Sequence, residues 1–183
     1  MHVTRHDRFA TILLVLSGLF LGGAASWLAR PIQGCDAAHA SFRQATASAQ
    51  PHASLAALLE LEQQCRQAVD LCPSFAEAHN NLADVYEQMG RFSEAIGEYQ
   101  AAIRANPLFP HPRFGLGDIY FKTGRFADAM TWYREGLRLA PDDVEAYYNR
   151  GVARRHEGDM NAAQLDFDMA ELLKSQRDTS RKG

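Results

Sequence analysis

Small residues recur at a fixed spacing in the second half of the chain. Ala83, Gly117 and Gly151 are 34 residues apart. Other positions keep the same period: Leu82, Tyr86, Gly90, Ala95, Tyr99, Ala102 and Pro107, then Leu116, Tyr120, Gly124, Ala129, Tyr133, Gly136 and Pro141, then Arg150, Arg154, Gly158, Ala163, Phe167, Ala170 and Ser175. Many coincident positions at one such period predict a repeated helical unit.

The recurring residues suit antiparallel helix hairpins. Small side chains on both helices of a pair let their axes approach closely. A glycine after each first helix suits the left-handed residue that closes a helix, and a proline stops the second helix. Ser74 with Glu77, and Asp142 with Glu145, have the spacing of a capping box at the start of a first helix.

This pattern resembles the tetratricopeptide repeat, whose signature has a small residue, then spaced aromatics and alanines, then proline. The resemblance covers about 100 residues. It implies an all-α, right-handed α-solenoid of antiparallel helix pairs that binds other proteins and is not an enzyme. In the last unit, Arg150 and Arg154 replace apolar or aromatic residues and Ser175 replaces proline. We therefore expect that unit to pack most loosely.

The repeats divide the chain into segments. We predict a membrane anchor or signal segment at 1–34, a degenerate capping pair of helices at 35–75, repeats at 76–109, 110–143 and 144–175, and a polar tail at 176–183. The first helix of the degenerate pair would be 36–49, with a flexible spacer as the alternative. Terminal repeats are expected to be atypical because one side faces water.

Residues 9–29 form a nearly unbroken apolar stretch, preceded by Arg5 and Arg8, with Trp27 near its end and Arg30 directly after it. It is long enough to span a bilayer. The charge bias predicts a single-pass anchor with its amino terminus in the cytoplasm and the repeats outside it, in a periplasm. The alternatives are export after signal cleavage, near the small residues 22–26, and lipidation at Cys35.

Cysteines and charges exclude several classes of site. Cys65 and Cys72 are expected to be core thiols, whereas Cys35 could pair with Cys65 or with a second chain. No histidine and cysteine spacing suggests a metal, and no cofactor is expected. Beyond residue 35 the chain has 16 basic and 21 acidic residues, a net charge of −5, with no basic stripe for nucleic acid.

The resemblance implies that the first helices line an inner groove. The partner-binding residues predicted on this groove are Asn80, Asn81, Asp84, Gln88, Phe114, Asp118, Phe121, Lys122, Tyr148, Asn149 and Arg155. They make the groove acidic at one end and aromatic in its middle. A clamp of basic residues for a terminal carboxylate is not expected, because Asn80, Asn81 and Asp84 stand where it would begin.

Two groups of groove residues allow alternative interpretations. Asn81 and Asn149 share one repeat position and resemble the asparagine ladder that holds peptide backbones in some family members; alternatively, each bonds the neighbouring helix. Gly115 interrupts the ladder. Phe114, Phe121 and Tyr148 are interpreted as a recognition patch, the alternative being that they are core residues.

The predicted function is binding of partner proteins or extended peptides in the groove, as an assembly scaffold outside the cytoplasm. One alternative is a structural scaffold that acts through its convex face and ends; another is an adaptor subunit of an enzyme complex. An enzyme is not expected, because no nucleophile, base and orienting group come together. Leu165, Met169 and Leu172 predict an uncovered apolar surface on the last helix, where the chain would form a homo-oligomer or bind a larger partner.

Overall fold

The computed structural model describes residues 35, 39, 42 and 54–182, and all the regular structure in this part of the chain is α-helical. Its helices are α1 (Leu55–Leu71), α2 (Ala76–Gln88), α3 (Phe92–Ala105), α4 (His111–Lys122), α5 (Phe126–Leu137), α6 (Val144–His156) and α7 (Met160–Lys182). The predicted membrane segment, residues 9–29, lies outside the described residues. Among 54–182 there is no helix with the length and hydropathy of a bilayer span.

The helices pack as successive hairpins. Helix α2 packs on α3, α4 on α5 and α6 on α7, and each hairpin packs on the next. The first helices also contact one another in chain order, α2 with α4 and α4 with α6. They therefore form one continuous surface, which we call the inner wall.

Glycine forms the corner of each hairpin, as predicted. Gly90, Gly124 and Gly158 have φ angles of 74°, 74° and 85°, and no other described residue has a positive φ. The residue after each glycine donates its N–H to a carbonyl five positions back, as Arg91 does to Tyr86 at 2.8 Å. This bond closes the last turn of the first helix.

The predicted capping boxes are each wrong by one residue. Phe75 stands at the N-cap of α2, where no side chain caps the helix, and Ser74 instead lies 3.6 Å from the sulfur of Cys72. At α6 the cap is Asp143, whose Oδ1 accepts from the Ala146 N–H at 2.8 Å. Helices α2 and α6 therefore each begin one residue later than the capping-box spacing implies.

Close helix approach depends on the small residues. An ideal Cβ on Gly117 would lie 2.6 Å from the ring of Tyr133 on α5, so any larger residue there would push the helices apart. Ala83, Ala95 and Ala129 are fully buried between the paired helices. The prediction that small residues set the spacing within a hairpin is confirmed.

A disulfide links the start of the described chain to the end of α1, which corrects the sequence interpretation. Cys35 pairs with Cys72, while Cys65 is a buried free thiol. Cys72 is the C-cap residue of α1, so its side chain leaves the helix and can meet Cys35. Cys65 lies within α1 and is fully buried on its core face.

Cys35, His39 and Phe42 are helical and pack near the start of α2. The His39 and Phe42 rings lie 3.7 Å and 5.0 Å from the ring of Phe75, and Phe42 is buried. Phe42 belongs to the same hydrophobic core as Cys72 and Phe75, and Cys35 packs against that core. The rest of the predicted helix 36–49 lies outside the described residues.

The arginines of the last unit do not loosen its packing. Asp166 on α7, 2% exposed, accepts two hydrogen bonds from the Arg150 guanidinium at 2.7 and 2.9 Å. The Arg154 guanidinium lies 2.9 Å from the same carboxylate. A buried ion cluster therefore fills the space that Leu116, Tyr120 and Trp132 fill one unit earlier.

The last helix runs further than expected. Helix α7 continues to Lys182, through most of the predicted polar tail 176–183. Ser175 stands where the other units have proline, so nothing stops the helix there. Leu165, Met169 and Leu172 are 69%, 38% and 50% exposed, which confirms the uncovered apolar surface on this helix.

Candidate protein-binding surface

The predicted groove residues lie on α2, α4 and α6, and they differ widely in exposure. Asn80 is buried, whereas Gln88, Lys122, Tyr148 and Arg155 are exposed. The remaining members are partly buried: Asn81, Asp84, Phe114, Asp118, Phe121 and Asn149. The exposed members can meet a partner directly, while the partly buried ones lie within hydrogen-bonded and aromatic contacts.

A tyrosine hydroxyl joins two carboxylates at the α2 end of the wall. The Tyr99 oxygen, which reaches the wall from α3, lies 2.6 Å from Asp84 Oδ1 and 2.7 Å from Glu87 Oε2. Lys122 on α4 donates to the other oxygen of Glu87 at 2.6 Å. This lysine bond links the first unit to the second.

The next unit repeats the arrangement with one carboxylate. The Tyr133 hydroxyl on α5 donates to Asp118 on α4 at 2.6 Å. The same carboxylate oxygen accepts from the Asn149 amide on α6 at 3.3 Å, which links the second unit to the third. In the third unit Val152 and Phe167 occupy the equivalent positions, so no such pair forms.

Sequence reasoning missed Tyr99 and Tyr133 as groups of this surface, because signature aromatics were interpreted as core. The sequence does carry a signal. Tyrosine stands at the aromatic position where the same unit has Asp84 or Asp118, and phenylalanine stands there where the unit has Val152. The two positions change together from a polar pair to an apolar pair, which indicates that their side chains are in contact.

The asparagines behave differently from each other. Asn149 bonds a neighbouring helix through Asp118, as the alternative interpretation expected. Asn81 accepts from the Asn80 amide at 3.4 Å within its own helix. Gly115 interrupts the series for a steric reason, because the end of the Tyr99 ring occupies the space that a side chain there would need.

The aromatic groove residues are divided between packing and exposure. The Phe114 ring lies against Gly136 of α5. Phe121 makes edge contacts with Phe126 and His156, at centroid distances of 5.3 and 5.9 Å. Tyr148, by contrast, is 56% exposed. Tyr148 is therefore the member of the trio best placed to contact a partner.

Burial changes the acidity of the wall. Burial is the main reason that the pKa of Asp84 is raised to about 6, with the charge of Glu87 adding to it and the Tyr99 hydrogen bond opposing it. The pKa of Asp118 is also raised, mainly by burial. Burial raises the pKa of the Tyr99 and Tyr133 hydroxyls, which keeps both protonated as donors. No group of carboxylates, histidines and cysteines among the described residues could hold a metal ion.

The raised pKa of Asp84 predicts a pH-dependent stability. Between its ordinary pKa of 3.8 and its folded pKa of about 6, the folded chain binds more protons than the unfolded chain. The contribution is present at low pH and is lost as the pH rises through about 6, a change of about 2 kcal/mol for a partly exposed group. The raised pKa of Asp118 makes its contribution to stability fall with rising pH in the same way. We expect Asp84→Asn to flatten the pH profile of the free energy of unfolding, measured by urea denaturation; an unchanged slope would contradict the assignment.

Comparison with known proteins places the chain in a family. The sequence matches the tetratricopeptide repeat family over residues 28–108 and 80–144. Protein FlbA of Caulobacter vibrioides is 39% identical over 98 residues, which make up 54% of this chain and only 16% of that protein. The chain therefore spans a small part of the length of this relative.

Solved structures share the fold. The crystal structure of MamA is similar with a TM-score of 0.64 at 22% identity, covering 67% of this chain and 72% of MamA. The first TPR domain of Spaghetti (RPAP3), bound to the HSP90 peptide SRMEEVD, is similar with a TM-score of 0.53 at 25% identity, covering 55% of this chain and 79% of that domain. The chain belongs to the tetratricopeptide repeat family and is a protein–protein interaction module built on that fold.

Proposed function

We propose that the chain holds an extended segment of a partner protein along its inner wall, as an assembly scaffold on the extracytoplasmic side of a membrane. The observation that carries the proposal is the continuity of the wall. Lys122 ties α4 to α2 through Glu87, and Asn149 ties α6 to α4 through Asp118. These links hold three helices in register, so that a peptide lying across them would meet a fixed row of polar groups.

The exposed side chains of the wall provide contacts for such a segment. Gln88, Lys122 and Arg155 are exposed polar groups on successive first helices, and Tyr148 adds an exposed aromatic. Aromatic and arginine side chains are enriched among residues that dominate binding energy. The similarity to RPAP3, whose domain was solved with a bound peptide, supports peptide binding as the mode.

The disulfide supports the proposed location. Disulfides persist in oxidising compartments and are rare in the cytosol. A Cys35–Cys72 bond at the start of the array therefore favours a compartment outside the cytoplasm. Residues 9–29 would carry the chain there, as an anchor or as a cleaved signal.

A specific observation favours the second candidate, a scaffold that acts through its end. An open cavity of about 720 Å³ lies between α6 and α7, lined by Tyr148, Phe167 and Ala170 among others. In the earlier units the equivalent surface is covered by the next hairpin. Self-association or docking of a partner at this end, together with exposed Leu172, is the alternative.

Photo-crosslinking distinguishes the two candidates. A crosslinking amino acid would be placed in the full chain, in cells, at Gln88 or Arg155 on the wall, or at Leu172 at the end of the array. Matched exposed positions on the second helices are Gln100, Arg134 and Asp168, which are one period apart. We expect partner adducts from the wall positions. Adducts only from the second helices, or only from Leu172, would contradict binding on the inner wall.

A further inference from the structure

We propose that the inner wall of the first two repeats binds the cationic side chain of a lysine or arginine in the partner segment. The binding group is the acceptor cluster, defined as Asn80, Asp84, Glu87 and Asp118. This inference rests on the proposed function, since it names the chemistry of the segment that the wall would hold.

The acceptor cluster has more acceptors than donors. Asp84 and Glu87 both lie within 2.7 Å of the Tyr99 hydroxyl oxygen, but a phenol has a single hydrogen to donate. At any moment one of these two carboxylates lacks that hydrogen bond. An N–H donor from outside the chain would supply it.

The charge of the cluster is also unbalanced. Its three carboxylates face one lysine, Lys122, which bonds Glu87 and has a side chain that is 53% exposed. The imidazole of His111, the first residue of α4, also acts on Asp84 when it carries a positive charge. Asp118 receives its bonds from the uncharged groups of Tyr133 and Asn149. With His111 neutral, two negative charges remain on a partly buried surface, where opposite charge is attracted more strongly than in water.

A buried amide oxygen beside the carboxylates independently indicates a missing donor. Asn80 is 7% exposed, and its amide nitrogen donates to Asp84 Oδ2 at 3.0 Å. The other end of the same amide, Asn80 Oδ1, is buried without a hydrogen-bond partner. Buried acceptors are rarely left unpaired. This unpaired acceptor belongs to the side chain that bonds Asp84, so it is part of the acceptor cluster.

The third repeat shows that the polar pairs are not needed for packing. Val152 and Phe167 stand one period after Asp118 and Tyr133, and that hairpin packs with an apolar pair. Burial disfavours the charged form of Asp84, as its raised pKa shows. The first two repeats thus keep groups that the hairpin itself does not require.

A long cationic side chain fits these observations better than other ligands. Ammonium and guanidinium groups carry three and five N–H donors and no acceptor. Their apolar stems allow the charge to reach a partly buried cluster from a peptide lying on the wall. A metal ion is disfavoured because no described group of side chains has metal-binding geometry. The acidic peptide SRMEEVD, bound in the RPAP3 structure, has the opposite charge to the ligand expected here.

Fluorescence anisotropy of labelled peptides with the full chain tests the proposal. The probes are glycine-serine peptides whose central residue is lysine, arginine, norleucine or glutamate. We expect the lysine and arginine peptides to bind at least about tenfold more tightly than the norleucine peptide, which is the size of one charge-assisted hydrogen bond. We expect no binding of the glutamate peptide.

Two variants make the test specific. Asp84→Val with Tyr99→Phe imports the pair of the third repeat, so it is expected to fold and to lose the cation preference. Glu94→Gln removes an exposed carboxylate of α3, outside the acceptor cluster, and is expected to leave the preference intact. Circular dichroism reports folding of both.

Several outcomes would overturn the proposal. They are equal binding of the norleucine peptide, failure of both cationic peptides to bind, a preference retained in the folded double variant, or an equal loss in Glu94→Gln. If the preference is absent while partner adducts still form from the wall, the proposed function stands and this inference fails.

Discussion

Replacing Asp166 by alanine is expected to lower the free energy of unfolding of the chain by about 3–5 kcal/mol. The Asp166 side chain is 3% exposed and bonds Arg150, whose side chain is only 13% exposed. Removal of the carboxylate would leave that guanidinium, and the partly buried one of Arg154, without their charge partner. Urea denaturation of the full chain, followed by circular dichroism, measures the change.

A matched exposed ion pair provides the control. Arg125 and Asp128 lie 2.7 Å apart, with side chains that are 57% and 50% exposed. Exposed pairs contribute little because water already solvates both charges, so Asp128→Ala is expected to lower the free energy of unfolding by less than about 1 kcal/mol. Equal effects of Asp128→Ala and Asp166→Ala would contradict the distinction between the two sites.

The second repeat supplies a compensating variant. Arg150→Leu, Arg154→Tyr and Asp166→Trp together import the residues found one period earlier. Replacing a buried ion cluster by packed apolar residues is often neutral or stabilising. We therefore expect this triple variant to be far more stable than Asp166→Ala. A triple variant as unstable as Asp166→Ala would mean that the loss reflects local misfit and not an unpaired charge.

The sequence predicted the features that each hairpin repeats. Corner glycines, close contacts at Gly117 and the placement of first helices follow from constraints that act within one unit, and those constraints leave the same residue at the same position. Capping was missed by one residue at Phe75 and Asp143, because cap position depends on how the preceding turn enters the helix. Boundary residues of this kind are set by local backbone geometry that side-chain spacing does not report.

The missed contacts are those in which one unit departs from the others. Asp166 neutralises the charges of Arg150 and Arg154. When each position is compared separately with the repeat signature, only the two arginines stand out, and their partner is not recognised. The Tyr99 and Tyr133 hydroxyls were missed because their rings satisfy the packing signature, which masks the polar end. The repeat signature reports how the helices pack, and it carries no information about the ligand. Binding by the exposed wall residues could therefore not be predicted from it.

Reduction of the Cys35–Cys72 disulfide is expected to lower the stability of the chain by about 2–4 kcal/mol. The bond closes a loop with a sequence separation of 37 residues, so its loss restores conformational freedom to the unfolded chain. It also frees the segment that places His39 and Phe42 against Phe75. We expect thermal unfolding to begin at a lower temperature in dithiothreitol.

Cysteine variants separate this effect from other consequences of the reductant. Cys72→Ser should match the reduced native chain and should itself be insensitive to dithiothreitol. Cys65 should not contribute, since it is fully buried and burial raises its thiol pKa to about 12, which suppresses the reactive thiolate. A Cys65→Ala chain should therefore keep the full response to reductant. If instead the native chain unfolds at the same temperature with and without reductant, the segment around Phe42 is held by its packing on Phe75 alone, and the disulfide has no stabilising role.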